Sequence, residues 1–174
     1  MLIKRTPQGE FVANRDDPYL PLDAEQPIPV DGKVLLSVDR LIRDGEAVGR
    51  RTAPTGVQLQ PGDDVETLRP WASRLGLVVL NFPSFRDGRP YTAAVLLRER
   101  LGYGGELRAS GNVLREQAEL LCRSGFDSFE TSDGSSAQEW AGAARRVRYA
   151  YQGRRPVAPD PRPAGANRDL ADAS

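Results

Sequence analysis

From residue 55 to about residue 151 the sequence alternates short apolar segments of strand length with segments that carry apolar residues at helical spacing. The strand-like segments recur roughly every 20 to 30 residues, which is typical of parallel α/β folds. The alternation predicts four consecutive β-α units that form a parallel sheet, with right-handed crossovers that place the helices over it. The repeat length suits half of a β/α barrel and a small doubly wound sheet equally well, and both architectures remain open.

The individual elements follow from the periodicity of apolar residues and from turn residues. Strands are predicted at 56–60, 77–82, 107–110 and 126–130. The first crossover helix carries Val65, Leu68 and Leu75, and the second covers residues 90–101. Gly102 and Gly125 end the second and third helices, and Ser135 or Ser136 caps a last helix that runs to about Tyr151.

The first 54 residues have a different character. Apolar segments at 2–5 and 10–12 flank a turn at 7–9 and predict an N-terminal β-hairpin. Four prolines between residues 14 and 32 block regular structure, and residues 33–38 fit a strand or the start of a helix. We therefore expect one α/β domain at 1–152, with an irregular N-terminal extension at 1–54 and a β-α repeat core at 55–152. The Pro-, Ala-, Arg- and Asp-rich segment 153–174 is predicted to be disordered.

The chain contains no histidine and one cysteine, which excludes several classes of chemistry. A zinc site of the Cys/His type, an iron–sulfur cluster with four cysteine ligands, and Ser-His-Asp or Cys-His catalysis all need residues that this chain lacks. We therefore expect no metal site and no intrinsic cofactor. Cys122 cannot form an intramolecular disulfide, which is typical of the reducing cytoplasm, and no apolar run approaches the roughly 20 residues of a membrane span. These features predict a cytoplasmic protein.

The charge composition bears on binding partners. The 24 basic and 24 acidic residues give a formal net charge of zero, so no global attraction to nucleic acid or to an anionic membrane is expected. Only Lys4 and Lys33 are lysines, and the other 22 basic residues are arginines. Such an excess of arginine often reflects a GC-rich genome, but guanidinium groups also bind oxyanions and carboxylates in a bidentate manner.

The loop at 81–91, NFPSFRDGRPY, is the most unusual segment at a predicted strand end, where parallel sheets place functional groups. In one interpretation, Arg86, Arg89 and the backbone of the following helix hold an anion while Asp87 orients an arginine or acts as a base. In the other, Asp87 caps the helix and pairs with Arg89. The first interpretation predicts Asp87 as the catalytic residue. The predicted anion- or substrate-binding residues are Asn81, Ser84, Arg86, Arg89, Tyr91, Arg108 and Asn112.

Two of these residues lie outside the loop. Arg108 stands between Leu107 and Ala109 in a predicted strand, and on a covered face it would need Glu106 or Glu130 as a partner. Asn112 follows Gly111 and fits the N-cap of the next helix, in the same cleft as the 81–91 loop.

Three motifs follow one another from residue 82 to residue 130: FPSFRDGRPY at 82–91, LLRERLGYGGELRASG at 96–111, and GFDSFE at 125–130. Together they resemble a bacterial family of short proteins of unknown function. Members are commonly labelled as oxidoreductases involved in sulfite reduction, so the resemblance implies a role in assimilatory sulfur metabolism. Asn112 stands where members usually carry an aspartate. The family has no established catalytic residues that could be assigned to this chain.

Two hypotheses follow from the resemblance. The first is an accessory protein of assimilatory sulfite reduction that binds sulfite reductase or a sulfur oxyanion at the 81–91 loop. The alternative is a small oxidoreductase that borrows NADPH or flavin and places Asp87 and Arg89 at the substrate. Because the chain lacks the ligands of an iron–sulfur cluster, the redox centre must belong to another polypeptide, which favours the first hypothesis. Sulfite reductase is the expected partner, and a homo-oligomer is compatible with the sequence.

Overall fold

The predicted alternation of strands and helices is present in a computed structural model that describes residues 1–131 and 133–145. The predicted tail at 153–174 and the end of the last helix lie outside the described residues. The strands are β1 (Leu2–Arg5), β2 (Phe11–Asn14), β3 (Tyr19–Pro21), β4 (Lys33–Ser37), β5 (Thr55–Leu59), β6 (Leu75–Phe82), β7 (Glu106–Gly111) and β8 (Ser128–Glu130). The α-helices are α1 (Val38–Arg43), α2 (Gly45–Gly49), α3 (Arg89–Val95), α4 (Ala118–Arg123) and α5 (Ala137–Arg145). Single turns of other helix types occur at Val65–Leu68, Leu96–Arg100 and Arg115–Gln117.

The eight strands form one mixed sheet in the order β2-β1-β8-β7-β6-β5-β4-β3. Neighbouring strands from β3 to β8 are parallel. The predicted N-terminal hairpin is confirmed, and its strand β1 also pairs antiparallel with β8. The expectation of a purely parallel sheet was therefore wrong, because the hairpin extends the sheet instead of preceding it.

The strand order decides between the two architectures. A doubly wound sheet reverses its strand order at a switch point, whereas β3 to β8 here follow one another in chain order without a reversal. Only residues 15–18 join β2 to β3, although these strands lie at opposite edges of the sheet. That segment can reach at most about 18 Å, but a flat sheet of eight strands would be about 34 Å wide. The sheet is therefore curled into a half-barrel whose edges approach each other. We call residues 15–18 the strap.

The N-terminal region is more regular than the irregular extension that we predicted. Residues 33–49 form β4, α1 and α2, which add a further β-α unit before the predicted core. Pro21 is accommodated because β3 is an edge strand. The loop between β3 and β4 is held by Arg40, whose guanidinium donates to the backbone oxygens of Asp23 and Gln26. The prolines therefore do not prevent this region from forming regular elements.

The crossover between β5 and β6 also differs from the prediction. A helix that includes Val65, Leu68 and Leu75 was expected, but only the 3-10 turn Val65–Leu68 forms, and Leu75 begins β6. Pro70 explains the difference, because its ring and missing N–H prevent a helix from continuing through this position. Two other local predictions are confirmed. Gly102 ends its helix with φ +65°, and Ser136 caps α5 in a reciprocal hydrogen-bond pair with Glu139.

The two faces of the sheet bury different side chains. The outer face carries the helices and the main apolar core, to which β6 contributes Val78, Leu80 and Phe82. The inner face, which lines the half-barrel, carries a small apolar cluster formed by Tyr19, Leu77 and Val79. Side chains alternate along a strand, so residues two apart in β7 share a face.

Within the described part of the chain, no helix has the length and apolar character that crossing a membrane requires.

Candidate functional site

The 81–91 loop lies at the carboxyl end of β6 and leads into α3, beside a pocket of about 300 Å³. The apolar side chains that line the pocket include Leu59, Val65, Leu80, Ala93 and Leu96. The polar residues that line it are Gln60, Asp63, Asp64, Asn81, Arg89 and Thr92. The pocket thus has the apolar floor and the few polar groups that are typical of binding sites. We call it the outer pocket, because it lies on the helix-covered face of the sheet.

Asp87 and Arg89 form a bidentate ion pair beside the outer pocket. Asp87 Oδ1 accepts from Arg89 Nε at 3.0 Å, and Asp87 Oδ2 accepts from Arg89 Nη2 at 2.6 Å. Asp87 Oδ1 also accepts from the backbone N–H of Arg89, the first residue of α3, at 3.0 Å. These are the contacts that our second interpretation of the loop predicted.

The pairing sets the chemistry of both groups. The side-chain and backbone hydrogen bonds from Arg89 hold the pKa of Asp87 below its ordinary value, and the Asp87 carboxylate raises the pKa of Arg89. A carboxylate with a lowered pKa is ionised at neutral pH and is a weak base. A small anion that approached Arg89 would have to compete with Asp87 for the guanidinium.

Asn81 and Ser84 shape the loop through internal hydrogen bonds. Asn81 Nδ2 donates to Gln60 Oε1 at 2.8 Å, which ties the end of β6 to the loop that follows β5. Ser84 Oγ accepts from the backbone N–H of Arg86 at 3.3 Å. Asn81 also lines the outer pocket, whereas Ser84 does not, and the observed side-chain hydrogen bonds of both residues hold the loop itself.

Tyr91 and Gln117 fasten the loop to the start of α4. The Tyr91 ring packs edge-on against Phe82, with the ring centroids 5.2 Å apart. Gln117 Nε2 donates to the Tyr91 hydroxyl at 2.7 Å and to the backbone oxygen of Phe85 at 2.8 Å. Burial raises the pKa of Tyr91 to about 12, although the hydrogen bond from Gln117 opposes the shift. The sequence analysis missed Gln117, because no local pattern relates it to a loop more than 25 residues away.

Phe85 and Arg86 are neighbouring exposed residues of the loop. Phe85 is 41% exposed, and the Arg86 guanidinium lies over its ring at 5.3 Å from the centroid. Arg86 makes no ion pair with any residue in 1–131 or 133–145. It is therefore the arginine of the loop whose charge is available to a partner.

Arg108 lies on the inner face of the sheet and does not reach the outer pocket. Its side chain is fully buried, and its guanidinium bonds Glu106 at 3.1 Å, Glu130 at 3.4 Å and also Asp17 of the strap. The prediction that a buried Arg108 requires Glu106 or Glu130 is confirmed, since both are its partners. The contribution of Asp17 was not foreseen, because 91 residues separate it from Arg108.

Asn112 is exposed at the carboxyl end of β7, where its backbone N–H donates to the oxygen of Phe82 at 2.7 Å. It is not the helix N-cap that we expected, because the next helical turn begins at Arg115.

Cys122 is buried, and burial raises the pKa of its thiol to about 11, so the thiol is poorly reactive at neutral pH. Across the described residues, no group of His, Cys, Asp and Glu side chains is arranged to hold a metal ion.

Comparison with protein families shows to which family the chain is related. Residues 56–162 match a family described as "Bacterial protein of unknown function (DUF934)". The chain belongs to the DUF934 family. The DUF934 match covers the 81–91 loop and Arg108, and it begins after the strap. A search of curated proteins finds no match to this chain.

Proposed function

We propose that this DUF934 protein is an accessory factor of assimilatory sulfite reduction that acts by binding the reductase, or a sulfur oxyanion, at the 81–91 loop. The sequence resemblance supports the pathway, and the proposal includes a cytoplasmic location. The observation that carries the mode of action is the exposed stack of Arg86 on Phe85, in the same loop that lines the outer pocket with Asn81 and Arg89.

The geometry of the loop favours a protein partner over a small anion. Aromatic and arginine side chains are enriched at the centres of protein interfaces, and Phe85 and Arg86 present both types together. Arg89 offers less to a free oxyanion, because Asp87 already occupies its guanidinium. The outer pocket, which Asn81 and Arg89 of the same loop line, is large enough for an apolar side chain of the partner.

The loop is also held in place before any partner arrives. Gln117 bonds both the Phe85 backbone and the Tyr91 hydroxyl, and the Asp87–Arg89 pair closes the turn between them. A surface that is ordered in the free protein loses less conformational entropy when it binds. The loop therefore has the properties of a preorganised docking site for the reductase.

The alternative function, a small oxidoreductase with borrowed NADPH or flavin, depends on Asp87 as a base. A general base works best when its pKa lies near the working pH, and the pKa of Asp87 is shifted in the opposite direction. We therefore prefer the accessory role.

Co-purification with sulfite reductase tests the proposal. We expect the tagged full chain to retain the reductase, and we expect Phe85→Ala and Arg86→Ala each to weaken the complex at least about tenfold, as hot-spot residues do. Leu120→Ala, at a residue that is 45% exposed on α4, is the matched control for Phe85. Arg50→Ala, at an exposed arginine after α2, is the control for Arg86.

Two outcomes would contradict the proposal. One is unchanged growth on sulfate and sulfite after deletion of the gene. The other is loss of the complex in the control variants as well, since a general loss would not assign binding to the loop. Flavin absorbance in the purified protein, or a rise in its melting temperature with NADPH, would support the oxidoreductase alternative instead.

A further inference from the structure

The outer pocket lies at the carboxyl ends of β5 and β6 and has an apolar floor. Leu59 and Val65 come from β5 and the turn that follows it, whereas Ala93 and Leu96 come from the helical segment after β6. The volume of about 300 Å³ is at the lower end of the range for ligand-binding clefts. That size suits an apolar side chain better than a large cofactor.

Asp63 and Asp64 add two exposed carboxylates to the lining of this pocket. Asp63 Oδ2 accepts from the backbone N–H of Gln60 at 2.7 Å, and Asp64 Oδ1 accepts from the backbone N–H of Glu66 at 2.9 Å. These bonds hold the two carboxylates in place, but a backbone N–H brings no formal charge that would neutralise them. Within residues 1–131 and 133–145, neither carboxylate forms an ion pair.

Three arginines of the surrounding segments are bonded to other carboxylates. Arg89, which lines the pocket, is bonded to Asp87. Arg69 and Arg100 both bond Glu66, which does not line the pocket. The lining of the outer pocket therefore combines an apolar floor with negative charge that these arginines do not balance.

The charge of the lining limits what can bind in the outer pocket. An acidic segment would be repelled by Asp63 and Asp64, and a purely apolar segment would remove water from both carboxylates without replacing its hydrogen bonds. A lysine or arginine next to the apolar side chain replaces those bonds with charged ones. Charge complementarity thus favours an apolar side chain that has a cationic neighbour.

We propose that the outer pocket binds a segment of the partner protein in which an apolar side chain is flanked by lysine or arginine. The apolar side chain lies on the floor of the pocket, and the cation bonds Asp63 or Asp64. This inference rests on the proposed function and deepens it, because it states which chemistry the docking segment of the reductase carries.

Titration of the isotope-labelled full chain with four blocked tripeptides, followed by NMR, tests the inference. The peptides are acetylated and amidated Lys-Leu-Lys, Gln-Leu-Gln, Glu-Leu-Glu and Lys-Ser-Lys. We expect Lys-Leu-Lys to bind most tightly and to shift the amide signals of Val65 and Ala93. Gln-Leu-Gln should bind about threefold or more weakly, because exposed ion pairs contribute factors of this size. The preference should shrink as the salt concentration rises.

A charge-removing variant tests the role of the two carboxylates. Asparagine keeps an oxygen that accepts the backbone hydrogen bond, so the combined Asp63→Asn and Asp64→Asn variant should fold normally and bind Lys-Leu-Lys no more tightly than Gln-Leu-Gln. The control combines Asp16→Asn with Asp31→Asn, which removes the same charge from exposed residues that do not line the pocket. This control should keep the preference for Lys-Leu-Lys.

Ala93→Leu tests the role of the apolar floor. The larger side chain occupies part of the pocket, so this variant should lose most of the peptide binding and should also weaken co-purification of the reductase. Ala47→Leu, at an exposed alanine of α2, is the matched control and should change neither measurement.

The inference is overturned if Lys-Leu-Lys binds no more tightly than Gln-Leu-Gln, if no peptide shifts the signals of the pocket, or if Ala93→Leu leaves binding unchanged. It is also overturned if the free protein self-associates and Ala93→Leu makes it monomeric, since the pocket then takes a second copy of the chain. If the preference is absent but the reductase co-purifies, only this inference is lost. If the preference is present but the reductase does not co-purify, the proposed function is lost instead.

Discussion

Replacing Arg108 with alanine is expected to lower the free energy of unfolding by about 3 kcal/mol, because the change empties the space of a fully buried side chain and removes one of the cations that neutralise the largely buried Glu106. The Arg108 side chain is fully buried, and its guanidinium is shared by Asp17, Glu106 and Glu130. The strap would also lose the ion pair that holds it across the half-barrel. Urea denaturation of the full chain at neutral pH measures the effect.

An exposed arginine provides the control. Arg115 also pairs with two carboxylates, those of Glu116 and Glu139, but its side chain is 42% exposed. Solvent screening makes such pairs weak, so Arg115→Ala should lower the free energy of unfolding far less than Arg108→Ala does. Equal losses in the two variants would contradict the role that we assign to burial at Arg108.

The effect at Arg108 should depend on pH. Burial alone would raise the pKa of Glu106, but the bonds from Lys4 and Ser128 and the charge of Arg108 outweigh it and hold the pKa below its ordinary value. A lowered folded-state pKa stabilises the protein above the unfolded value of about 4.3, and this contribution is lost as the pH falls through the folded value. The difference between the wild type and Arg108→Ala should therefore narrow below about pH 4.

Replacing Gly111 with alanine is expected to cost about 3 kcal/mol or more. Gly111 has φ +86°, a conformation that costs other residues roughly 1–2 kcal/mol. An added Cβ would also lie 2.4 Å from the backbone oxygen of Phe82 and 2.5 Å from Asn81 Oδ1. The backbone of β6 or β7 would have to move, and overpacking of this kind adds about 1–3 kcal/mol.

Gly102 separates the conformational cost of a positive φ from the cost of overpacking. It also has a positive φ, +65°, but a Cβ there would meet nothing within 4 Å. Gly102→Ala should therefore cost only the conformational part, roughly 1–2 kcal/mol, in the same thermal or urea unfolding measurement. If the two variants lose the same stability, the close approach of Gly111 to β6 is not the cause.

Local features of the fold were predictable because they depend on neighbouring residues. The N-terminal hairpin, the end of the second crossover helix at Gly102 and the cap at Ser136 each rest on a few adjacent side chains. Pro70 is also a local feature, and its presence excludes a continuous helix before β6. The helix predicted there from the apolar spacing does not form, because Pro70 interrupts it.

The candidate site was predictable in part. The sequence placed the 81–91 loop at a strand end, foresaw the Asp87–Arg89 pair as one of two interpretations, and required a carboxylate beside Arg108. It did not show that Arg108 faces the opposite side of the sheet from the loop. Nor could it reveal Gln117 as the residue that fastens the loop, since that contact joins separate β-α units.

The amino-acid sequence was sufficient to show which classes of metal site and catalysis the chain cannot form, and which local elements it folds into. The absent histidines and the single cysteine exclude whole classes of metal and imidazole catalysis, whatever the fold. The tertiary structure alone decided the order of the strands, the curl of the sheet, and which arginines remain unpaired. Those features depend on contacts between distant residues, such as Asp17 with Arg108, and a pattern of neighbouring residues carries no record of such contacts.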